Sequence, residues 1–259
     1  MKKNFCDGWD NLLWIVAFNL VAILLAAGTF FAFTSLITIP FLSLAILFVA
    51  VCLIMIPVSA ISDACARIAD FKSVPIKEVF MNFRNVIKDA VLFGASVSVL
   101  CFVVAVALPF YFDLYFLNGN IMGLFLFAMI FWMLIVTILA LQWFMPLRSH
   151  FGGGFRKNIK KSFIVFFDNV GFSIFLFIYT LILSVLTPLL AFMAPGITGI
   201  LLAQNNALRL RLYKYNWLEE HPEIPPKQAR KQIPWDELLG DDRETVGPRD
   251  LKSFIFPWK

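Results

Sequence analysis

The sequence predicts an all-α integral membrane protein with six transmembrane helices arranged as three hairpins, with interfacial amphipathic elbow helices and a polar cytoplasmic tail. Composition is the first observation behind this class, because 60% of the 259 residues are hydrophobic and the mean hydropathy is +0.81, whereas soluble domains are roughly 45–50% apolar. The second is the recurrence of uncharged apolar stretches of about 20 residues, the length with which a helix crosses about 30 Å of hydrocarbon. The third is a one-sided distribution of positive charge.

Six apolar stretches are long enough to be predicted as spans, and the last two are crowded together. The uncharged run that holds most of them extends only from residue 170 to residue 208, which is too short for two full crossings. We therefore expect the fifth span to begin near Phe163, with Asp168 and Asn169 inside its first turns. Whether both spans cross fully is left open. The predicted spans are residues 12–33, 41–63, 90–110, 121–145, 163–185 and 186–207.

The positive charges predict the orientation of the spans. None of the 22 Lys and Arg residues falls in the three connections predicted for one side, residues 34–40, 111–120 and 184–188. Because Lys and Arg near span ends mark the cytoplasmic side, both termini are expected in the cytoplasm. A five-span arrangement would place the basic residues of the tail outside, so the same pattern also favours a sixth span.

Two related segments are predicted to form amphipathic elbows ahead of the second and third hairpins. "NFRNVIKDAVLF" (residues 82–93) and "GFRKNIKKSFIV" (residues 154–165) both read F-R-x-x-I-K. At helical spacing, the apolar pair of each copy shares one face and the basic pair shares another. Such an elbow can lie in the membrane interface with its basic groups toward lipid head groups, or it can contact a partner. The face-sharing pairs are Phe83 with Ile87, Arg84 with Lys88, Phe155 with Ile159, and Arg156 with Lys160.

No pattern in the sequence indicates catalysis or metal binding. The glycines at residues 152–154 lack the G-x-x-x-x-G-K-[ST] frame and follow an apolar span instead of a strand, so they do not predict a phosphate loop. The four cysteines have no C-x-x-C spacing, and the two histidines have no carboxylate or nucleophile at an informative distance. We expect no catalytic residues, no metal, no cofactor and no enzymatic activity.

The polar residues near the membrane offer three further candidates. Neutral groups in the span centres, which could line a solute pathway, are Asn19, Ser96, Ser98, Thr137 and Thr180. A boundary cluster consists of Gln204, Asn205, Asn206 and Arg209, and side-chain amides at such a place either bond to neighbouring helices or bind a ligand or partner. Asp168 is expected to form an ion pair with Arg209 or Arg211, or to relay protons.

The tail, residues 215–259, is predicted to be largely extended and to dock through aromatic residues. It has seven basic and nine acidic residues, so it is not a polybasic membrane arm. Its proline content disfavours long helices. Docking could occur on a cytoplasmic partner or on the inner face of the bundle itself. The docking residues are Trp235, Phe254, Phe256 and Trp258.

Several segments resemble the YesL-like family of bacterial polytopic membrane proteins. In order they are "NLLWIV", "FRNVIKDAVLF", "YFDLYF", "FRKNIKKSFIVFFDNVG" and "PGITGILLAQNNALRLRLYKY", within residues 9–215. The family is of unknown molecular function, and the resemblance implies a bacterial inner-membrane protein often encoded beside ABC importers for oligosaccharides. It supplies no catalytic residues. The segment "AFNLVAILLAAGT" departs from the family's first hairpin, which commonly has a Pro and a Thr there, and the tail is longer than the family's.

These observations lead to one functional expectation and two alternatives. The first is a non-enzymatic accessory or associated component of a carbohydrate ABC import system, in contact with membrane lipids and, through its cytoplasmic face and tail, with permease or ATPase subunits. Nucleic acid is not an expected partner. The second is a small-solute transporter or channel, which would need a midplane cavity lined by Asn19, Ser96 or Thr137. The third is a lipid-interacting scaffold that uses the elbows.

Overall fold

A computed structural model of the protein describes residues 2–35, 40–74, 76–224, 232–247 and 249, without the side chains of residues 40, 41, 43 and 76–83. Within these ranges the chain is helical and has no strand. A π-helical segment, Val103–Ala107, joins the fourth and fifth helices. The helices are α1 (Lys2–Asp10), α2 (Leu12–Ser35), α3 (Pro40–Ala69), α4 (Ile76–Phe102), α5 (Leu108–Phe116), α6 (Ile121–Leu141), α7 (Phe144–Phe151), α8 (Phe155–Asp168), α9 (Val170–Leu189), α10 (Gly196–Glu220), α11 (Trp235–Leu238) and α12 (Gly240–Val246).

Five of these helical stretches are long and apolar enough to cross a membrane, which confirms the prediction of an all-α, multipass membrane protein. They are formed by α2, by most of α3, by α4 with α5, by α6 with α7, and by α9. Many of their large apolar side chains are exposed, as lipid contact requires. Their bounds are Leu12–Ser35, Leu44–Ala69, Arg84–Phe116, Ile121–Phe151 and Val170–Leu189.

The last two spans have different bounds from those predicted. The predicted spans over residues 163–185 and 186–207 are replaced by α9, a turn over residues 190–195, and α10, which continues beyond the apolar region to Glu220. Asp168 and Asn169 lie before α9 and not inside it, because Asn169 leaves the helical conformation, with φ −137° and ψ 48°. The turn is irregular, since Ala191 and Phe192 have positive φ angles of 52° and 62°.

The two F-R-x-x-I-K copies differ in structure, although the sequence predicts an elbow for each. The first copy lies inside α4 and continues into the span without a break, whereas the second forms the separate helix α8. Gly94 follows the first copy and permits close contact with α3, because a Cβ there would lie 2.6 Å from the Cα of Cys52. The copies meet in space, where the Phe155 backbone N donates to Asp89 Oδ1 at 3.0 Å.

Helix α10 is the central helix of the bundle. It contributes Leu201 and Leu202 to a buried cluster shared with α2, α3, α4 and α7. It also contributes Ala207 and Leu208 to a second cluster shared with α6, α7, α8 and α9. Small side chains allow such close packing between helices in a membrane. The helix therefore holds the two halves of the bundle together.

The two ends of the described chain lie at the same end of the bundle. Lys2 Nζ donates to the Gly247 carbonyl at 3.3 Å, and Arg249 donates to Asp10 Oδ2 at 2.6 Å. We call this the basic end, which contains α1, the α3–α4 connection, the first half of α4, α7, α8, the second half of α10, α11 and α12. The connection over residues 117–120 and the turn over residues 190–195 lie at the other ends of their helices.

Candidate functional site at the basic end

A buried ion pair joins α3 and α7 at the basic end. The Arg148 guanidinium, only 7% exposed, pairs with the Asp63 carboxylate and donates to the Ser59 carbonyl at 2.7 Å. Next to it, the hydroxyls of Ser62 and Ser149 are 2.9 Å apart. The ion pair with Asp63 and the hydrogen bond to the Ser59 carbonyl offset the cost of burying the Arg148 guanidinium. The ion pair therefore acts as a structural clamp between α3 and α7.

A second polar cluster connects α1 to α10. Lys3 Nζ lies 2.6 Å from Asp7 Oδ2, and Asn206 Nδ2 donates to the same carboxylate oxygen at 3.0 Å. Burial raises the pKa of Asp7 and lowers the pKa of Lys3, although each partner opposes the shift of the other. Asn4 completes the cluster, because it accepts from Asn206 at 3.2 Å and donates to the Tyr179 hydroxyl at 3.1 Å.

A third cluster surrounds the break between α8 and α9. Lys214 Nζ lies 2.6 Å from Asp168 Oδ2 and 2.9 Å from Asn169 Oδ1. Arg211 donates to the same Asn169 oxygen at 3.2 Å. The Tyr215 hydroxyl donates to Asp168 Oδ2 at 3.0 Å, and burial together with that carboxylate raises the pKa of Tyr215 to about 12. The side chain of Asn169 is thus held by α10. This contact takes the backbone of Asn169 out of the helical conformation.

The predicted ion pair of Asp168 needs a correction. The sequence named Arg209 or Arg211 as its cation, and the structure places Lys214 there, one helical turn beyond Arg211. Arg209 pairs instead with Asp242 of α12 at 2.7 Å and with Asp70 at 3.7 Å. Arg211 stacks on the ring of Phe172, 3.8 Å from its centroid.

The elbow residues are divided between core and surface. Phe155 and Ile159 are partly buried and pack against the protein core, so the apolar face of α8 is turned to the bundle, whereas the sequence offered the membrane interface as one place for it. Ile87 is 44% exposed, and Val86 and Ala90 of the same copy are buried instead, because α4 presents a different face to its neighbours. The side chain of Phe83 lies outside the described residues. The basic residues Arg84, Lys88, Arg156 and Lys160 are exposed.

The boundary cluster bonds mainly to neighbouring helices. Asn205 is fully buried and lies 3.4 Å from the Ser62 hydroxyl. Asn206 is 8% exposed and bonds to α1, whereas Gln204 is partly exposed. The amides therefore connect α10 to α1 and α3.

The described part of the tail docks on its own chain. Trp235 packs with Ile233 against Trp217 of α10, and its ring lies 5.6 Å from the Arg211 guanidinium carbon. Of the two docking modes that the sequence left open, residues 232–247 adopt the one within the chain. Phe254, Phe256 and Trp258 lie outside the described residues.

The neutral groups in the span centres bond to the protein itself. Ser96, Ser98, Thr137 and Thr180 each donate to a carbonyl three or four residues earlier in their own helix. Asn19 lines a cavity of about 250 Å³, but its amide is engaged by four hydrogen bonds to residues 193–198. The hydroxyl protons and the Asn19 amide are therefore used within the protein, and only the acceptor side of the four hydroxyls is left for a solute.

A larger cavity of about 590 Å³ lies between α1, α9, α10 and α12. Apolar side chains form the wall along α9, and polar and charged side chains gather near α1 and α12. The sequence did not predict this site, although the Lys3–Asp7 pair at i,i+4 is a readable sign that α1 is a helix. The lining residues are Lys2, Lys3, Asn4, Phe172, Phe175, Leu176, Tyr179, Ala203, Asn206, Ala207, Arg209, Leu210, Leu239, Asp242, Arg243, Val246 and Gly247.

Neither a metal-binding cluster in the described residues nor a known relative indicates a role for these features. Among the described residues, no group of three or more His, Cys, Asp and Glu side chains could hold a metal ion. Comparison of the chain with protein-family models, curated proteins and solved structures found no match.

Proposed function

We propose that this is a non-enzymatic bacterial inner-membrane protein of the YesL-like kind, an accessory or associated component of a carbohydrate ABC importer. The class of partner rests on the sequence resemblance, whose segments follow in order within residues 9–215. The geometry supplies a contact surface for it. At the basic end, Arg84, Lys88, Arg156 and Lys160 are exposed, while the Phe155 N–H of α8 donates to Asp89 of α4 and so joins the helices that carry them.

We propose six crossings, with both termini in the cytoplasm. The single observation that supports this count is the contact between α1 and the tail, because two ends on one side require an even number of crossings. Five stretches qualify by length and apolarity, and the apolar first half of α10 would supply the sixth. The absence of Lys and Arg from residues 111–120 and 184–195 agrees with an outer position for these connections.

Labelling of single cysteines tests the topology. In a chain whose native cysteines are replaced, Asn118→Cys should react with a membrane-impermeant maleimide added to intact cells, and Lys157→Cys should react only after the cells are opened. Both positions are exposed, so a difference reports sidedness and not burial. Equal reaction of the two in intact cells would overturn the proposed orientation.

Recovery of partners tests the proposed association. Purification from native membranes in mild detergent should enrich a permease or ATPase subunit of an importer, as measured by quantitative mass spectrometry. The variant Arg156→Gln/Lys160→Gln should lose that enrichment. Lys2→Gln/Arg243→Gln, which removes the same charge from exposed residues elsewhere at the basic end, should keep it. Failure to enrich any importer subunit with the wild-type chain would count decisively against the proposal.

A lipid-interacting scaffold is the second candidate, and the exposure of the basic elbow residues favours it. Each Lys or Arg near an anionic membrane surface contributes about 1 kcal/mol to attraction. In this case, neutralising Arg84, Lys88, Arg156 and Lys160 should reduce the enrichment of anionic lipid around the protein and leave its unfolding midpoint unchanged. Importer subunits would then be absent from the wild-type preparation.

A further inference from the structure

The cavity of about 590 Å³ at the basic end has two chemically different parts. Its volume is within the range of about 300–1,000 Å³ that ligand sites occupy. One part is apolar and follows α9 from Phe172 to Tyr179, a rise of about 10 Å along the helix. The other part is formed by the start of α1 and by α12, where the charged residues lie. A ligand that fills both parts must itself be amphipathic.

The apolar part is accessible from the side of the bundle. Phe175 lines the cavity and is 48% exposed, and it belongs to α9, one of the five membrane-span candidates. In a bilayer this opening would face hydrocarbon or its boundary with the head groups. A lipid chain can therefore enter here without crossing water, whereas a soluble anion would leave the apolar wall unfilled.

The polar part has an excess of positive charge. Lys2, Lys3, Arg209 and Arg243 line it, and Asp242 is its one carboxylate among the described residues. Lys3 and Arg209 are held by buried carboxylates. The other two cations are exposed. Among the described residues, Lys2 donates to a backbone carbonyl at 3.3 Å, and Arg243 pairs at 2.7 Å with Asp236, whose side chain is 89% exposed. A phosphate in the cavity would replace the carbonyl at Lys2 and compete with the exposed Asp236 for Arg243.

The phenol of Tyr179 adds a hydrogen-bond donor where α9 meets Asn4 of α1. Its oxygen accepts from Asn4 Nδ2 at 3.1 Å, so its own proton remains available to donate. The ester oxygens of a glycerophospholipid can accept this hydrogen bond. The cavity therefore offers cations to a phosphate, a phenol donor to an ester oxygen and an apolar wall to an acyl chain.

We propose that this cavity binds one anionic glycerophospholipid, with its phosphate at Lys2 and Arg243, an ester oxygen at Tyr179, and an acyl chain against the apolar wall of α9. The bound lipid would link α1 and the tail helix α12 to the membrane part of the chain. This inference does not depend on the importer partner, since it requires only the cavity and the membrane.

Native mass spectrometry of the full-length protein tests the site, with dioleoyl phosphatidylglycerol as the probe and dioleoyl phosphatidylcholine for comparison. The wild-type chain should retain one phosphatidylglycerol after delipidation and rebinding. Lys2→Gln/Arg243→Gln should bind it about 30-fold more weakly, since two cations contribute about 1 kcal/mol each and 1.4 kcal/mol corresponds to tenfold. Arg156→Gln/Lys160→Gln, with the same loss of charge, should bind it as the wild type does. Tyr179→Phe should weaken it by several fold.

Three outcomes would overturn the proposal. If the elbow variant loses phosphatidylglycerol as fully as the cavity variant, the lipid is held by surface charge and not by the cavity. If phosphatidylcholine binds as tightly, the cations do not contribute. If glycerol 3-phosphate displaces the lipid at equal concentration, the site binds a soluble anion. Unchanged unfolding midpoints in both variants would confirm that the loss is not caused by misfolding.

Discussion

Replacement of Asn19 by alanine should destabilise the protein more than any other neutral polar substitution in the span centres. Asn19 lies in the first half of α2 and is 2% exposed. Its Nδ2 donates to the carbonyls of Met193 at 2.9 Å and Pro195 at 3.0 Å. Its Oδ1 accepts from the backbone N of Thr198 at 3.0 Å and from the Thr198 hydroxyl at 2.8 Å. One amide therefore ties α2 to the turn and to the start of α10.

The magnitude follows from the number of bonds. Hydrogen bonds between helices in membranes contribute about 0.6 kcal/mol on average and up to about 1.7 kcal/mol, so four of them give about 2.4 kcal/mol. The same loss can be counted from the groups left without partners away from water: the Met193 carbonyl and the Thr198 N–H cost about 1–3 kcal/mol each, whereas the Pro195 carbonyl still accepts from the Gly199 N–H at 2.8 Å. This count replaces the sum over bonds and is not added to it. We expect the free energy of unfolding to fall by about 2–4 kcal/mol.

Equilibrium unfolding in mixed detergent micelles, followed by tryptophan fluorescence, measures this difference. Thr137→Ala is the matched control, because Thr137 bonds only to a carbonyl of its own helix, and its loss should cost less than about 0.6 kcal/mol. Thr198→Val removes one of the four bonds and retains the shape of the side chain. A double-mutant cycle with Asn19→Ala and Thr198→Val should give a coupling energy of about 0.6–1.7 kcal/mol between the two side chains.

A small effect would refute the reasoning. If Asn19→Ala lies within about 0.5 kcal/mol of the wild type, the range of an ordinary surface substitution, the amide does not hold the turn. The same conclusion follows if Thr137→Ala is equally damaging, because the loss would then report a general effect of removing polar groups from spans.

Three further predictions concern packing, charge and pH. Gly94→Ala should lower the free energy of unfolding by about 1–3 kcal/mol, because the added Cβ would meet the backbone of α3. Gly28→Ala should be neutral or stabilising, because a Cβ added there has no atom within 4 Å. Equal effects of the two substitutions would contradict this prediction. Arg148→Met should cost about 3–5 kcal/mol by leaving Asp63 unpaired, and Arg148→Met/Asp63→Leu should recover most of it; a double variant as unstable as the single one would argue against the clamp. The pKa of Tyr215 is raised to about 12, above its ordinary value of about 10, so its neutral phenol stabilises the fold below pH 10 and this contribution is lost as the pH rises through 12. The unfolding midpoint of Tyr215→Phe should therefore fall less steeply than that of the wild type between pH 10 and 12. Equal slopes would contradict this prediction.

The sequence predicts the helical class and the first four spans because these depend on local hydropathy. It does not predict the different fates of the two F-R-x-x-I-K copies. After the first copy, nothing interrupts the helix, and Gly94 only allows α3 to approach. After the second copy, Asn169 is held by Lys214 and Arg211 of α10. A contact over more than forty residues therefore decides where α8 ends, and no local pattern contains that information.

The candidate site was predictable where it depends on residue type, and unpredictable where it depends on helix register. Of the two roles that the sequence left open for Asn205 and Asn206, the structure shows bonds to neighbouring helices. The sequence did not identify Lys214 as a partner of Asp168, because the turn over residues 190–195 sets how far α10 is shifted along α9. The cavity depends on α1 and α12 folding against the same end, which only the tertiary structure shows.

The turn over residues 190–195 explains how a short helix can serve as a sixth crossing. The apolar first half of α10, residues 196–208, spans about 20 Å, less than the hydrocarbon thickness of about 30 Å. The turn is itself apolar, and Leu190 and Phe192 are more than half exposed, so it can extend the crossing into hydrocarbon. Irregular backbone is tolerated at that depth only where the protein satisfies its polar groups. Asn19 does so for the carbonyls of Met193 and Pro195, which gives this amide a structural role in the proposed topology.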